Sequence, residues 1–342
     1  MKVKIIEQFS ENKAFALWSY PKSEVLNGLV HQEFSDGKHQ FVLAPFDEFM
    51  SETQVLKSDS IFELELDDLE QIKARVELKT HQKITKKSTI FDDYKFDFEQ
   101  FMTELKSESN IQKLILAQSK IIETEKHPLA VFSALHQHFR DEFCYIFYDG
   151  SSAFWYAASP EILIKKQAKT LQTMALAGTQ VAEVESELNW TKKEFDEHQF
   201  VVDYIDQTFD SLDIKAKIEP KPNNSKAGFV WHLKTEIEAE NDDYSCLDIA
   251  KALHPSPAIC GTPKKEAKAF ILNKEQLSRS YYCGYVGYLS EAESQLFVNL
   301  RCANQVSNQV EIFAGGGLTV DSELESEWQE SQNKSKTIAA FL

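Results

Sequence analysis

Three features of the 342-residue sequence predict an α+β fold: β-like and helical segments alternate without a regular βαβ period, 42% of residues are hydrophobic, and no repeat or low-complexity tract interrupts them. Such mixed order favours α+β layers over a doubly wound parallel sheet. With 12% aromatic residues, the chain can fill a sizeable core.

Residues 1–95 carry short β-like runs, FALW at 15–18, QFVL at 40–43 and IFELEL at 61–66, broken by polar residues and free of recognisable site chemistry. This part reads as structural. From 96 to 105 the spacing of Phe98, Phe101, Met102 and Leu105 fits an amphipathic helix, and KLILA at 113–117 reads as a buried strand. A helix over 127–139, strands at 143–148 and 153–158, and a long helix over 190–212 with Phe195, Val202, Ile205 and Phe209 follow. The segment EPKPNNSK at 219–226 reads as an exposed loop.

Charge excludes two classes of partner. The 37 basic against 54 acidic residues leave a net charge of -17, which repels nucleic-acid backbones and anionic membrane surfaces. The opening MKVKII lacks an apolar leader, and no run approaches the ~20 apolar residues that span a bilayer, so a cytoplasmic location is expected. Cys144, Cys246, Cys260, Cys283 and Cys302 form no CxxC pair and read as reduced, mostly buried thiols. Arginine is scarce: only Arg75, Arg140, Arg279 and Arg301 occur, so each is a candidate for bidentate carboxylate binding.

Chemistry gathers in the second half. AGGGLTVDSELESEWQESQNK at 314–334 combines three glycines, which let backbone approach a ligand, with Glu327 and Glu330 on one helical face. A second such pair, Glu194 and Glu197, lies in EFDEH at 194–198. Facing carboxylates from two helices suit an octahedral Mg2+ site beside an anion, although solvated acidic helices show the same spacing. HPSPAICGTP at 254–263 is stiffened by three prolines and suits either a ligand mount or a rigid turn. ALAGT at 175–179 and YCGYVG at 282–287 place small residues where backbone could meet a ligand, without a nucleotide fingerprint.

Taken together, KLILA, SPE at 159–161, LAGT at 176–179, EFDEH, WHL at 231–233, HPSPAICGTP, YCG, NLRCA at 299–303, AGGG and EWQE at 327–330 resemble, in order, the chorismate-utilising enzymes. That family includes isochorismate, salicylate, anthranilate and aminodeoxychorismate synthases. The resemblance runs from about residue 113 to 336 and implies a single large chorismate-binding α+β domain of layered, mostly antiparallel sheets flanked by helices. Residues 1–95 would be its variable N-terminal part and 96–342 its catalytic core.

The resemblance also implies roles. Glu197 and Glu330 would bind Mg2+, supported by Glu194 and Glu327, and the metal would hold the ring carboxylate of chorismate. Arg301 and Tyr282, with Lys334, His232 and the backbone of Gly178, Thr179, Gly315 and Gly317, would bind the rest of the substrate. Ammonia-using members usually carry glutamine in place of Lys113, and aminodeoxychorismate synthases carry lysine in place of Ala177, so the chain looks like a water user. Lys113 would be the general base and Glu161 the general acid, which requires the lysine pKa to fall and the carboxyl pKa to rise. Ala258, where salicylate synthases tend to carry threonine, points to isochorismate as the released product. Lys264 departs from the arginine of many relatives. The expected protein is a monomer with no obligatory amidotransferase subunit; a salicylate synthase, an ammonia-using synthase subunit or a non-catalytic relative are the alternatives.

Overall fold

Every strand pairing among the described residues, 6–10, 13–76, 83–151, 153–227 and 230–342 of this computed structural model, is antiparallel. The N-terminal part supplies β1 (Phe15–Ser19), β2 (Leu26–Val30), β3 (His39–Ala44), β4 (Gln54–Ser58), β5 (Phe62–Leu64) and helix α1 (Leu66–Lys73). Helix α2 (Phe91–Leu105) leads into β6 (Lys113–Glu123), α3 (Pro128–His138), β7 (Phe143–Tyr148), β8 (Ala153–Ser159), β9 (Ile162–Gln167) and β10 (Thr170–Gln180). Next come α4 (Lys192–Ser211), β11 (Lys217–Ile218), β12 (Asn223–Ala227), β13 (Val230–Glu240), α5 (Cys246–Leu253), β14 (Gly261–Thr262) and α6 (Lys264–Lys274). The last elements are β15 (Tyr285–Ser290), β16 (Glu293–Val298), β17 (Cys302–Val306), β18 (Gln309–Leu318) and α7 (Leu324–Ala339).

One sheet runs β14-β6-β18-β17-β8-β7-β1-β2-β5; the other runs β11-β13-β10-β9-β16-β15-β3-β4, with β12 paired to β13. Strands from residues 15–64 thus enter both sheets. The period-2 rule explains why FCYIFY of β7 is buried throughout. Phe143, Tyr145 and Phe147 join the core between the sheets, while Cys144, Ile146 and Tyr148 join a second core under α1 and α3. Across the first core Phe143 stacks on Phe297 of β16 with ring centroids 4.1 Å apart. The larger core continues beneath α4, whose Val202, Ile205 and Phe209 are buried as their helical spacing requires. No helix among the described residues is long and apolar enough to cross a membrane.

Segment 219–226 differs from the loop expected of it. Pro220 and Pro222 lie outside the ladder, but Asn223 to Ala227 form β12 against β13. Asparagine and serine disfavour strands locally; pairing with a long partner strand overrides that preference.

Strand β6 sits next to the sheet edge, since β14 pairs only with Lys113 and Leu114. Beyond it the outward backbone groups are taken up by other segments. Ile115 N–H donates to Cys260 O at 2.9 Å, Arg279 Nη2 donates to Ile115 O at 2.6 Å, and Ala117 N–H donates to Glu275 Oε1 at 2.8 Å. Ser119 N–H and Ile121 N–H reach the hydroxyls of Thr89 and Ser88. These contacts close an edge that would otherwise template further pairing.

Arg279 and Glu275 form a bidentate pair (2.6 and 2.8 Å), and Arg279 Nη1 also donates to Ile259 O at 2.9 Å. One planar fork therefore ties α6, β6 and the proline-rich loop together. Breaking a buried pair by removing one partner costs about 3–5 kcal/mol. Arg279→Met should lose about that much in urea unfolding, and a loss below about 1 kcal/mol would show that the pair contributes little to this edge.

Candidate active site

The floor of the site is the pairing of β18 with β6, which sets Gly317 opposite Ile115, Gly316 opposite Leu116 and Gly315 opposite Ala117. Each glycine leaves room for a different group. A Cβ on Gly317 would lie 2.7 Å from Lys113 Cε, and one on Gly315 would lie 2.7 Å from Leu116 O and 3.0 Å from the Tyr282 hydroxyl. On the opposite face a Cβ at Gly316 would stand 3.2 Å from Glu327 Oε2 and 3.5 Å from Glu330 Oε1. The bare backbone thus admits the site's own side chains.

Lys113 and Glu161 are both buried, at 2% and 4% exposure. Burial pushes the Lys113 ammonium below its ordinary value, against the attraction of Glu197 and with help from Lys334. The same burial pushes the Glu161 carboxyl up to about 8, with Lys113 opposing. Glu161 therefore holds a proton at neutral pH beside a lysine biased toward the free amine. That pairing can donate a proton at one point and accept one at another.

Two helices bring the other carboxylates. In α4 the N-cap Thr191 and Glu194 form a capping box, Glu194 Oε2 accepting from Thr191 N–H at 2.8 Å. Glu194 lines the pocket, but its carboxylate is turned back to the helix end. Glu197, one turn on, is 9% exposed. Lys193 Nζ lies 3.4 Å from Glu327 Oε1 of α7 and 4.0 Å from Glu197 Oε1. Ser322 donates to Glu327 at 2.8 Å, and burial followed by the nearby Glu330 raises the Glu327 pKa. Lys334 Nζ donates to Glu330 Oε1 at 2.7 Å and Gly315 O at 3.1 Å.

Among the described residues no three His, Cys, Asp or Glu side chains are drawn together around one point. The carboxylates rest on lysine ammoniums instead. Their donor set is all oxygen, and burial first, then the like charge of Glu330, raises the Glu327 pKa. These features fit a hard divalent cation held by carboxylates from both helices together with water, and do not fit a preformed cage.

Arg301 stands on the turn between β16 and β17, where its left-handed backbone (φ 47°) is one that few non-glycine residues adopt. Its Nη1 donates to Glu142 Oε1 at 3.0 Å and its Nη2 to His232 Nε2 at 3.1 Å. His232 Nδ1 lies 3.0 Å from Gly178 O and 3.2 Å from the Thr179 hydroxyl. A carbonyl only accepts, so His232 carries its proton on Nδ1 and receives Arg301 at Nε2. Burial, and then Arg301, push its pKa down to about 3, keeping it neutral. Gly178 (φ 76°) occupies the bulge where the β10–β13 register shifts, and its missing Cβ would be 3.1 Å from Glu194 Cβ. Glycine there lets α4 close on the strand.

Lys113, Glu161, Gly178, Thr179, Glu194, Glu197, His232, Tyr282, Arg301, Gly315, Gly317, Glu327, Glu330 and Lys334 all line one pocket of about 880 Å³, counted out to its mouth. The pattern of the chorismate binding enzyme family matches residues 39–342. The chain belongs to this family. The isochorismate synthase DhbC of Bacillus subtilis is 31% identical over 192 residues, covering 53% of this chain and 48% of that protein. The isochorismate synthase MenF of Escherichia coli is 34% identical over 213 residues, covering 58% and 48%. The chain thus spans about half the length of the relatives it matches. The structure of Escherichia coli MenF, titled menaquinone-specific isochorismate synthase, superposes with a TM-score of 0.80 at 21% identity, covering 98% of this chain and 90% of that one. Anthranilate synthase component I from Streptococcus pneumoniae gives a TM-score of 0.72 at 17% identity, covering 96% and 91%. These two likenesses show the shared fold.

Two residues of this site carried no sequence signal of their own. Lys193 is one of two adjacent lysines in a helical first turn, and Glu142 lies outside every motif; only tertiary contacts single them out. Apolar Ile259 and Leu300 also line the pocket.

The Glu161 shift has a measurable consequence. Its carboxyl titrates at about 8 when folded and near its ordinary 4.5 when unfolded, so the folded chain holds the extra proton between those values. Its contribution to stability is greatest below pH 4.5, falls as pH rises to about 8, and is constant above. Glu161→Gln removes this dependence. Urea unfolding should show the variant gaining roughly 2–4 kcal/mol on the wild type between about pH 5 and pH 8. A gap that does not change with pH would return Glu161 to an ordinary carboxylate.

Proposed function

We propose that the chain is an Mg2+-dependent isochorismate synthase, converting chorismate to isochorismate. The observation that carries this reading is the buried Lys113 and Glu161 in one pocket, shifted toward free amine and protonated acid respectively. Lysine in place of the glutamine of ammonia-using members, and Ala177 in place of the lysine of aminodeoxychorismate synthases, support water as the nucleophile. The activity named for the relatives supports the same branch.

In this mechanism the Lys113 amine takes a proton from water as the water oxygen bonds to ring carbon C2. Both ring double bonds shift by one position, from C1=C2 and C5=C6 to C1=C6 and C4=C5, as the C4–O bond breaks, and Glu161 gives its proton to the C4 hydroxyl, which leaves as water. One water is consumed and one released, so the net change is an isomerisation. Arg301, oriented by Glu142 and His232, and the Tyr282 hydroxyl would bind the carboxylate away from the metal. Bound Mg2+ would neutralise the ring carboxylate, held by Glu197 and Glu330 with Glu327 and Glu194 behind them. Ala258 lines the pocket and leaves the product intact, without loss of pyruvate. The protein is proposed to act alone as a cytoplasmic monomer, in keeping with its five free, buried cysteines. Its product would serve menaquinone or catechol siderophore synthesis.

The deciding experiment incubates the pure chain with chorismate and Mg2+ and separates the products. Isochorismate should appear with little pyruvate; an amino product in ammonium would move the chain to the ammonia-using branch, and stoichiometric salicylate with pyruvate to the lyase branch. Lys113→Gln and Glu161→Gln should each lose about 10²–10⁴ in turnover while remaining folded. The rate should rise with pH as Lys113 loses its proton and fall through about pH 8 as Glu161 loses its own. Glu197→Gln or Glu330→Gln should abolish turnover, and full activity in excess chelator would remove the metal from the mechanism.

A further inference from the structure

The gap between α4 and α7 is bridged by a charge the mechanism above does not use. Lys193 Nζ lies 3.4 Å from Glu327 Oε1 and 4.0 Å from Glu197 Oε1, carboxylates whose side chains are only 5% and 11% exposed. Two nearly buried carboxylates would be costly together without a cation. The other acidic partner in this corner, Glu330, is held by Lys334. The adjacent lysine behaves differently: Lys192 pairs with Asp196 at 2.6 Å and its side chain is 89% exposed.

We propose that Lys193 is a tethered counter-ion that occupies the carboxylate gap until a divalent cation displaces it. This rests on the metal reading above. Ammonium and divalent ion cannot both contact the same oxygens, because their mutual repulsion at such distances is large. The lysine has a way out. Its side chain is 41% exposed and its four-carbon stem can return the ammonium to water at little cost. Cation binding then competes with an internal ligand, and the apparent affinity falls in proportion to the fraction of chains with the gap open. Lys193 thereby keeps Glu197 and Glu327 aligned across two helices and limits how tightly the empty pocket holds a metal.

The test titrates Mg2+ alone into chelator-stripped full-length chain by calorimetry, for the wild type, Lys193→Gln and Lys192→Gln. Lys193→Gln should bind Mg2+ about tenfold more tightly, while Lys192→Gln, which removes the same charge from the same helix turn, should stay within about twofold of the wild type. Thermal melts in chelator add a second readout: Lys193→Gln should melt lower than the wild type and recover on adding Mg2+, as the gap loses one counter-ion and gains another. Equal or weaker binding by Lys193→Gln overturns displacement while leaving the metal site intact. Equal tightening by both variants overturns it too, assigning the effect to bulk charge. If no variant binds Mg2+, the metal reading falls and this proposal falls with it.

Discussion

The absence of side chains on Gly315, Gly316 and Gly317 is the constraint on which the pocket depends. Beside these residues β18 presents bare backbone, and three groups from separate parts of the chain use the space: the Lys113 stem over Gly317, the Tyr282 hydroxyl over Gly315, and the Glu327 and Glu330 carboxylates over Gly316. Strand alternation divides them between two faces. Each glycine weakens a strand by about 0.5–1 kcal/mol relative to alanine through lost chain entropy. Pairing of the three glycines with Ala117, Leu116 and Ile115 of β6 offsets that penalty, while β17 holds β18 through residues 309–312.

Electrostatics in the pocket is local, as the chain's charge distribution requires. A protein of net charge -17 should repel a dianion, yet at physiological ionic strength that repulsion is screened beyond about 8 Å. What a ligand meets inside are Lys113, Lys193, Lys334 and Arg301 set against the glutamates. Arg301 and His232 divide their work by chemistry: the guanidinium supplies fixed charge, and the neutral ring fixes its direction while bonding back to Gly178 O. A protonated His232 would have no acceptor to offer Arg301. Its low pKa and its geometry therefore support each other.

Much of this was legible in the sequence because local signals and the fold agree. The apolar run at 143–148 forms β7 at those residues, and the helices over 96–105 and 190–212 appear as 91–105 and 192–211, although Phe195, expected on the apolar face, is 45% exposed. Both ExxE pairs lie on helices, as their spacing indicates. What stayed hidden is set by partners distant in sequence. β12 depends on β13 beside it, Glu142 on an arginine 159 residues away, and the Lys193–Glu327 bridge spans 134 residues. Glu194 illustrates the limit most directly: its spacing from Glu197 suits a ligand and a capping box equally well, and only the fold shows that it caps Thr191 while also lining the pocket.

One physical cause sets the shifts of both Lys113 and Glu161. Desolvation disfavours whichever form is charged, so one dry pocket lowers the lysine and raises the carboxyl without separate tuning of either. Their mutual attraction opposes both shifts, since Lys113 lowers Glu161 and Glu161 raises Lys113. Burial outweighs that attraction, and Glu161 keeps its proton at neutral pH. The architecture meets that condition by seating Lys113, 2% exposed, on a strand whose outer edge is covered by Arg279, Glu275 and the proline-rich loop. Loosening that edge would expose the lysine to water and relax the burial that lowers its pKa. The buried Arg279–Glu275 pair, whose guanidinium bonds to Ile115 and acts on Tyr282 of the pocket, is thus part of the packing that keeps Lys113 buried.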